Sequence, residues 1–426
     1  MTPEIEKRIK AVKAGRVPTG YKKTKVGIVP KEWDECKLSH YLSVSKEKNT
    51  ELKYSKEDVF SISGELGIVN QIELLGRSYA GVSVAPYGVV KPNDVVYTKS
   101  PLKANPYGII KTNKTGKTGI VSTLYAIFNC KDNVNSDFVQ YYFESDKNLN
   151  DYLHPIVNIG AKHDMKISDE NSLNGLVVFP PLSEQRKIAE ILSAQGKIIE
   201  LKEKLITEKQ LQKKYLAQSC LTGKHRLFGF RSKWKKVCLE KVLNERKECN
   251  DRQNLRICSV AVNCGVVDQK EHLGKSMAAE NTSNYAVVCY GDLVYTKSPT
   301  GMFPYGIVKQ SQLEERVAVS PLYGVYQPYC YEIGYLLHVY FSYASNANNY
   351  LKPIVNKGAK NTILISNQTF LKQSLYLPSD IEEIKTLCQI FKMVDEEISL
   401  LQRDLEQEKL KKKSLMQLLL TGLVRV

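Results

Sequence analysis

The stretch VVYTKSPLKANPYGIIK, residues 95–111, decides the architecture because the chain contains it twice. Residues 293–309 are LVYTKSPTGMFPYGIVK, which keep the YTKSP, the PYG and the final lysine. Both copies run from an apolar strand into a proline-containing turn and leave through a second strand. A stretch repeated at this length indicates that the chain arose by duplication.

Further matches extend the repeat over most of the chain. Gly67-Ile68-Val69 matches Gly265-Val266-Val267, and residues 155–162 match residues 353–360, each pair 198 residues apart. Solenoid repeats are only ~20 to 50 residues long, so two copies of this length predict two similar domains. Each combines short strands with helical pieces, at 136–144 in the first copy and 333–343 in the second. Trp33 and Trp234 are expected to open the two copies as core anchors.

A long charged helix is predicted after each copy, over residues 183–223 and 379–426. In the second helix the apolar residues are spaced alternately three and four apart, which predicts a coiled-coil seam. These seam residues are Ile384, Leu387, Phe391, Val394, Ile398, Leu401 and Leu405. In the first helix the equivalent positions hold Ile188, Leu192, Ile199 and Ile206, with Gln195 and Lys202 interrupting the seam.

The predicted fold class is α+β. Two repeated mixed α/β domains are joined by two long helices that pair as an antiparallel coiled coil with pseudo-twofold symmetry. The predicted segments are a basic N-terminal segment 1–26, a first domain 27–182, its helix 183–223, a second domain 224–378 and its helix 379–426. The alternative is that each helix folds back on its own domain. A 40-residue helix is about 60 Å long, which exceeds a domain of this size.

Charge and composition restrict the class of protein. The 426 residues include 61 Lys and Arg against 45 Asp and Glu, a net charge of +16, which suggests a polyanionic partner such as nucleic acid. The ten cysteines form no CxxC or zinc-binding pattern, so they are interpreted as reduced core thiols. With no apolar run of about 18 residues, the protein is expected to be cytoplasmic and to have no membrane partner.

Three fragments resemble catalytic motifs, but each lacks an essential part. Asn105-Pro106-Tyr107 lacks one proline of the amino-methyltransferase motif, and Gly116-Lys117-Thr118 lacks the first glycine of a phosphate loop. The acidic residues after Pro378 resemble a nuclease metal site, but Ile384 belongs to the helix seam. The sequence therefore predicts a protein that reads nucleic acid, with no enzymatic activity, no metal and no cofactor.

These features together resemble the specificity subunits of type I restriction-modification systems. The matching stretches are the opening KAGRVPTGYKKTKVGIVPKEW, the helix start PPLSEQRKIAEIL, the helix ends KYLAQSCLTGKHRL and KSLMQLLLTGLVRV, and the turns TKSP, PYG and NxGAK. The resemblance covers essentially the whole chain. One departure is the start of the second helix, where Ser379-Asp380-Ile381-Glu382-Glu383-Ile384 stands in place of the expected Leu-Ser-Glu-Gln-Arg.

The resemblance implies a non-catalytic subunit that reads a bipartite sequence of double-stranded DNA. Each repeated domain would be a target recognition domain for one half-site, and the helices would set the spacing between the half-sites. Two methyltransferase subunits would dock on the helices, and restriction subunits would join the full complex. The predicted DNA contacts are Lys99, Tyr107, Lys111, Lys162 and His163 in the first copy, and Lys297, Tyr305, Lys309, Lys360 and Asn361 in the second.

Two other classes stay open at this point. The chain could be the recognition subunit of a solitary methylation or type IIB system, or a coiled-coil scaffold that carries two RNA-binding or protein-binding domains. A neighbouring methyltransferase reading frame would favour DNA recognition over the scaffold. A neighbouring helicase-nuclease frame would separate type I restriction from solitary methylation.

Overall fold

The computed structural model describes residues 2–102, 105–159, 165–221, 223, 226–251, 254–274, 278, 281–357 and 363–426. The chain divides into two compact units. Unit 1 contains residues 1–201 and 405–426, and unit 2 contains residues 202–404. Both units mix short strands with helices, which confirms the predicted α+β class.

The elements of unit 1 follow the chain up to its first long helix. They are α1 Pro3–Lys13, β1 Tyr21–Lys23, β2 Ile28–Pro30, β3 Asp34–Lys37, β4 Leu42–Val44, β5 Phe60–Ser63, β6 Gly67–Asn70, α2 Gln71–Leu75, β7 Gly88–Val90, β8 Val95–Thr98, β9 Ile109–Thr112, β10 Gly119–Val121, β11 Tyr125–Cys130, α3 Ser136–Glu144, α4 Asp146–Leu153, β12 Asn158–Ile159, β13 Met165–Lys166, β14 Leu176–Phe179 and α5 Leu182–Cys220. Strands β1 and β2 pair. This hairpin crosses the predicted boundary at residue 26 between the N-terminal segment and the first domain.

Among the described residues, unit 2 repeats this order without the N-terminal helix and hairpin and with one additional short helix before its last strand. Its elements are β15 Lys235–Cys238, β16 Leu243–Glu245, β17 Ile257–Ala261, β18 Gly265–Asp268, α6 Gln269–Leu273, β19 Ala286–Val288, β20 Leu293–Tyr295, β21 Val308–Gln310, β22 Val317–Val319, β23 Gly324–Pro328, α7 Tyr331–Phe341, α8 Ala344–Leu351, β24 Asn356–Lys357, β25 Ile363–Leu364, α9 Asn367–Lys372, β26 Ser374–Leu377 and α10 Ile381–Leu419. Helix α3 spans the predicted residues, and α7 begins two residues before its predicted start.

A four-stranded antiparallel sheet forms the centre of each unit. Its strand order is β4-β11-β8-β9 in unit 1 and β16-β23-β20-β21 in unit 2. The YTKSP segment leaves the end of β8 or β20, and the chain returns through β9 or β21 as the neighbouring strand. Because β8 is apolar at three of four positions and buried at all four, the hairpin that presents the repeated stretch stands on a rigid base.

The sequence also fixes how the short helices start and stop. Asn70 accepts hydrogen bonds from the first free amides of α2, and Asp268 does so for α6. Both helices end at a glycine with positive φ, Gly76 and Gly274. These are ordinary capping signals, in which a side chain satisfies amides that have no partner within the helix. The equivalent elements of the two units therefore begin and end alike.

The two long helices lie antiparallel within each unit. In unit 1, Ile188 and Leu192 near the start of α5 share a core with Leu419 at the end of α10. In unit 2, Ala217 near the end of α5 shares a core with Leu387 near the start of α10. In both units this core also contains domain residues, so the helix ends pack on the domains as well as on each other.

The predicted seam faces inward along both helices. Eight of its members are buried and Ile199, Val394 and Leu401 are half-buried. The two polar interruptions have partners across the pair. Gln195 is buried and donates from Nε2 to Oε2 of Glu408 at 2.6 Å, and Lys202 forms an ion pair with Asp404 at 2.5 Å. Paired polar groups at such positions fix the register of two helices.

A buried glutamate at the start of α5 joins three segments of unit 1. Glu184 accepts hydrogen bonds from Nε and Nη2 of Arg425 at 2.6 and 2.8 Å. It also accepts one from the indole nitrogen of fully buried Trp33 at 3.2 Å. Arg425 belongs to the tail after α10, so the glutamate connects the start of one long helix to the end of the other.

Unit 2 contains the same arrangement with Glu383, which is fully buried near the start of α10. Arg226, in the tail after α5, donates to both carboxylate oxygens at 2.9 and 2.7 Å, and the indole of Trp234 donates at 3.3 Å. Glu383 therefore takes the place of Glu184, although the sequences around the two helix starts differ. Trp234 is half-buried, so only Trp33 is a fully enclosed core anchor.

The cysteines correct one prediction. Only Cys258 and Cys388 are buried, while Cys249 and Cys264 are exposed and the other six are half-buried. The interpretation as core thiols was therefore wrong for most of them, because a lone cysteine is small enough to be accommodated at any depth. Among the described residues no helix is both long enough and apolar enough to cross a membrane.

Candidate nucleic-acid interface

In each unit a tyrosine of the YTKSP segment holds the PYG turn. The hydroxyl of Tyr97 donates to the carbonyl oxygen of Tyr107 at 2.8 Å, and the hydroxyl of Tyr295 donates to that of Tyr305 at 2.7 Å. Tyr97 and Tyr295 are fully buried, and burial raises the pKa of both phenols. The predicted DNA contacts Tyr107 and Tyr305 are half-buried, and their backbones are held by this bond.

The glycine of each PYG turn is required by its backbone and by its neighbours. Gly108 has a φ of 91° and Gly306 a φ of 92°, a conformation that other residues rarely adopt. A Cβ atom at Gly108 would lie 2.0 Å from the carbonyl oxygen of Thr98, and one at Gly306 would lie 2.9 Å from the ring of Tyr295. The repeated tyrosines and glycines therefore build a common scaffold.

The lysine of each YTKSP segment is bound to a distant loop of its own unit. Nζ of Lys99 pairs with Asp169 at 2.7 Å, and Nζ of Lys297 donates to Oδ1 of Asn367 at 2.6 Å. Asp169 and Asn367 are 198 residues apart and so occupy equivalent positions. Lys297 also has a φ of 52°, which is strained for a residue with a side chain. Each lysine therefore already has a partner within its own unit.

The spacing of 198 residues could have indicated Asp169 and Asn367 from the sequence. Because the two residue types differ, no shared motif drew attention to them. They are functional candidates that sequence reasoning missed, since each sets the position of a predicted DNA contact.

The lysine that ends each repeated stretch lies inside its unit. Lys111 and Lys309 are each 7% exposed. Burial lowers the pKa of Lys111, against the opposing influence of Glu144 and Asp146. Nζ of Lys309 donates to Oγ of Ser342 at 3.1 Å. This enclosure argues against a direct phosphate contact for either lysine, because a contact needs the ammonium group at the surface.

Lys309 supports a testable prediction about stability. Burial and the nearby charge of Lys213 lower its pKa to about 8, although Asp395 acts in the opposite direction. The unfolded chain therefore binds this proton more tightly than the folded chain does. Below about pH 8 the lysine is charged in both states, and the full cost of burying that charge reduces stability. Stability rises between about pH 8 and 10.5 as the lysine loses its charge in the folded state. Lys309→Met should add roughly 2–3 kcal/mol at pH 7.

Chemical denaturation from pH 7 to 10.5 checks this expectation. The variant should lack the rise in stability that the original chain shows above pH 8. Lys352→Met, which removes an exposed lysine after α8, is the control and should leave the pH dependence unchanged. Ser342 keeps a partner in the variant because its hydroxyl also donates to the carbonyl oxygen of His338 at 2.8 Å. An equal rise in the original chain and in Lys309→Met would exclude Lys309 as its source.

The remaining predicted contacts belong to the NxGAK turns. Lys162, His163, Lys360 and Asn361 lie outside the described residues. The strands on either side are described and pair in both units, β12 with β13 and β24 with β25.

Solved structures share this architecture along almost the whole chain. The HsdS subunit from Thermoanaerobacter tengcongensis is 15% identical over 93% of this chain and 98% of its own, with a TM-score of 0.47. The type I restriction-modification system S subunit from M. genitalium is 13% identical, covering 91% and 96%, with a TM-score of 0.52. A structure from work on complex assembly and conformational transition of the type I R-M system is 14% identical, covering 93% and 99%, with a TM-score of 0.52.

This chain has the fold of a type I specificity subunit. No protein-family model matches its sequence. At this level of sequence identity the agreement concerns the fold alone. The match extends over more than nine-tenths of the chain, so it includes the duplicated domain and both long helices.

Within this specificity-subunit fold, the three fragments that resemble catalytic motifs have structural roles. Asn105 is buried and donates to Asp146 at 3.0 Å. The carbonyl oxygen of Lys117 accepts from Asn113 at 2.9 Å within a turn. Glu383 is occupied by Arg226 and Trp234, as described above. Among the described residues no group of three potential metal ligands occurs.

The long helices of this specificity-subunit fold expose leucines at equivalent positions. Leu211 on α5 and Leu410 on α10 are 199 residues apart and are 60% and 65% exposed. Leu201 and Leu400 have the same spacing and are also exposed. Unit 1 carries Leu201 and Leu410, and unit 2 carries Leu211 and Leu400. Each unit therefore presents at least one leucine from each long helix to solvent, outside the seam.

Proposed function

We propose that the chain is the DNA-specificity subunit of a type I restriction-modification complex. One observation carries this proposal. The two units contain the same YTKSP and PYG scaffold, but the residues between these motifs differ, Leu102 to Asn105 in one copy and Thr300 to Phe303 in the other. A shared scaffold with different loop residues suits a protein that positions two domains alike on DNA and reads different bases.

Three further properties agree with this role. The net charge of +16 favours a polyanion. The chain has the fold of a solved type I restriction-modification system S subunit. The exposed leucines occur twice, as two docking surfaces for two methyltransferase subunits require. In this proposal the predicted domains 27–182 and 224–378 are target recognition domains. Chemistry, cofactors and restriction activity reside in partner subunits, and the complex acts on DNA in the cytoplasm.

The decisive experiment is methylation mapping with a reconstituted complex. The chain is purified with a modification subunit and S-adenosylmethionine and supplied with a randomised DNA library. We expect methylated adenines in one interrupted sequence with two defined half-sites. The purified chain alone should methylate no DNA. Methyl transfer by the chain alone, or methylation without a bipartite site, would refute the proposal.

The same assay tests whether the helices set the spacing. Inserting four residues after Glu203 and after Gln402 lengthens α5 and α10 at the level of the ion pair between Lys202 and Asp404. The added length is about 6 Å, close to two base pairs at roughly 3.4 Å each. The preferred spacer should therefore grow by about one or two base pairs while the half-site bases stay unchanged.

A four-residue insertion at Gly116 is the control for this experiment. Gly116 lies in an exposed turn, and no heavy atom lies within 4 Å of the position that a Cβ atom would occupy there. The control insertion should leave the spacer as it was. An unchanged spacer after the helix insertions, or altered half-site bases, would show that the helices do not set the distance.

A further inference from the structure

One exposed leucine occupies the same place in both units, at the tip of the turn that joins two strands. Leu124 lies between β10 and β11 and is 67% exposed, and Leu322 lies between β22 and β23 and is 73% exposed. They are 198 residues apart. Isolated exposed leucines are common in soluble proteins, but these two also share the turn that holds them and the neighbouring segment.

Both leucines are held by the same serine-based turn. The Leu124 amide donates to Oγ of Ser122 at 3.4 Å and the Tyr125 amide to its carbonyl oxygen at 3.0 Å. In unit 2 the Leu322 amide donates to Oγ of Ser320 at 3.3 Å, and the following amide bonds its carbonyl oxygen at 3.0 Å. The strands before both turns are fully buried. Each leucine is therefore fixed on a rigid base.

Each leucine neighbours the YTKSP segment. In unit 1, Tyr125, the first residue of β11, pairs with Thr98, the last residue of β8, so the next residues outward are Leu124 and Lys99. The register of unit 2 is the same, because Tyr295 pairs with Gly324, and continuing it brings Leu322 opposite Lys297. In each unit the exposed leucine and the YTKSP lysine thus follow the same end of two paired strands.

Two other exposed loop leucines of unit 1 are not kept in unit 2. Leu66 is 62% exposed and is replaced by Cys264, and Leu102 is 43% exposed and is replaced by Thr300. These changes show that the loops around this edge have diverged. The leucine at the turn tip has stayed a leucine and has stayed exposed, while its flanking residue changes from Thr123 to Pro321.

We propose that Leu124 and Leu322 are wedges that insert between stacked base pairs, one in each half-site. This inference rests on the proposed function. Proteins that kink DNA often place an apolar side chain between two base pairs, which unstacks them at a cost that closer protein contact offsets. Lys99 and Lys297 would bind the adjoining phosphates once freed from Asp169 and Asn367. The wedges would favour DNA in which the base pairs at the insertion point unstack easily, and so add sequence selectivity where no base edge is contacted.

The test uses the reconstituted complex of the chain with modification subunits, without S-adenosylmethionine. Cognate DNA carries 2-aminopurine in turn at each purine except the adenine that becomes methylated, because unstacking increases its fluorescence. We expect one bright position in each half-site. Leu124→Ser should abolish the signal in one half-site only and Leu322→Ser in the other only, and each should weaken binding about tenfold. Leu124→Met should retain both signal and affinity.

The control is Tyr376→Ala, which truncates an exposed side chain on β26 and should change neither signal. Because the leucines are exposed, their substitution should leave the unfolding temperature unchanged, so a lost signal reports on DNA. Two results would overturn the wedge alone, provided that a bipartite site is methylated normally. One is the absence of any bright position, and the other is a fluorescence signal that survives Leu124→Ser and Leu322→Ser. Absence of any bipartite methylation would overturn the wedge together with the proposed function.

Discussion

Replacing Glu383 by alanine should lower the free energy of unfolding of unit 2 by about 3 kcal/mol. The carboxylate has no access to solvent and accepts two hydrogen bonds from Arg226 and one from Trp234. Removing it leaves a guanidinium group that is only 26% exposed without its counter-charge. Removing one partner of a buried ion pair lowers stability by more than the intact pair contributes, because the remaining charge stays buried without a counter-charge.

Chemical denaturation of the full chain measures this effect, and hydrogen exchange in α10 and β15 locates it in unit 2. The matched control is Glu382→Ala, which removes the neighbouring glutamate, whose side chain is 64% exposed. It should cost less than about 1 kcal/mol because an exposed ion pair contributes little. The double variant Glu383→Ala with Arg226→Met should recover part of the loss, because no unpaired charge remains. Equal losses for Glu382→Ala and Glu383→Ala would contradict the arrangement described here.

The second expected result is that Leu211→Glu combined with Leu410→Glu reduces methylation by the reconstituted complex at least tenfold. Under the proposed function these two leucines lie at equivalent positions on the surfaces where the methyltransferase subunits bind. A charge placed in an apolar contact is buried without a partner, which weakens binding strongly when the residue lies near the interface centre. Because both side chains are exposed in the free chain, its own stability should change little.

Single variants separate the two surfaces. Leu211→Glu should leave one modification subunit bound and Leu410→Glu the other, so sedimentation should show a complex with one modification subunit in each case. Gln402→Glu introduces the same charge at another exposed position of α10 and serves as the control. Full methylation and two bound subunits in the double variant would show that these leucines do not contribute to docking.

The helix seam could be predicted from the sequence because it depends on periodicity alone. Apolar residues spaced three and four apart must lie on one face of a helix, and that face must be covered. The sequence could not explain Gln195 and Lys202 at seam positions. Their partners Glu408 and Asp404 are about 200 residues away in the chain, and only the antiparallel packing brings them together.

The lysines illustrate a sharper limit. Repetition correctly identified Lys99, Lys111, Lys297 and Lys309 as positions that the two copies share, but the sequence could not indicate depth. Lys111 and Lys309 lie on β9 and β21, the edge strands of their sheets, which helices α3 and α7 cover, and their burial follows from that cover. A residue's exposure depends on which elements pack over it, and those elements are distant in the sequence.

The sequence by itself determined the duplication, the α+β class, the two long helices and their seam, because each follows from repetition or from local periodicity. The tertiary structure alone decided that Glu383 replaces Glu184 despite different neighbours and that Asp169 and Asn367 hold the YTKSP lysines. It also decided that Leu124 and Leu322 follow the same strand ends as those lysines. These features are contacts between residues far apart in the chain, and their formation depends on how the sheets and helices pack rather than on any local pattern of residue types.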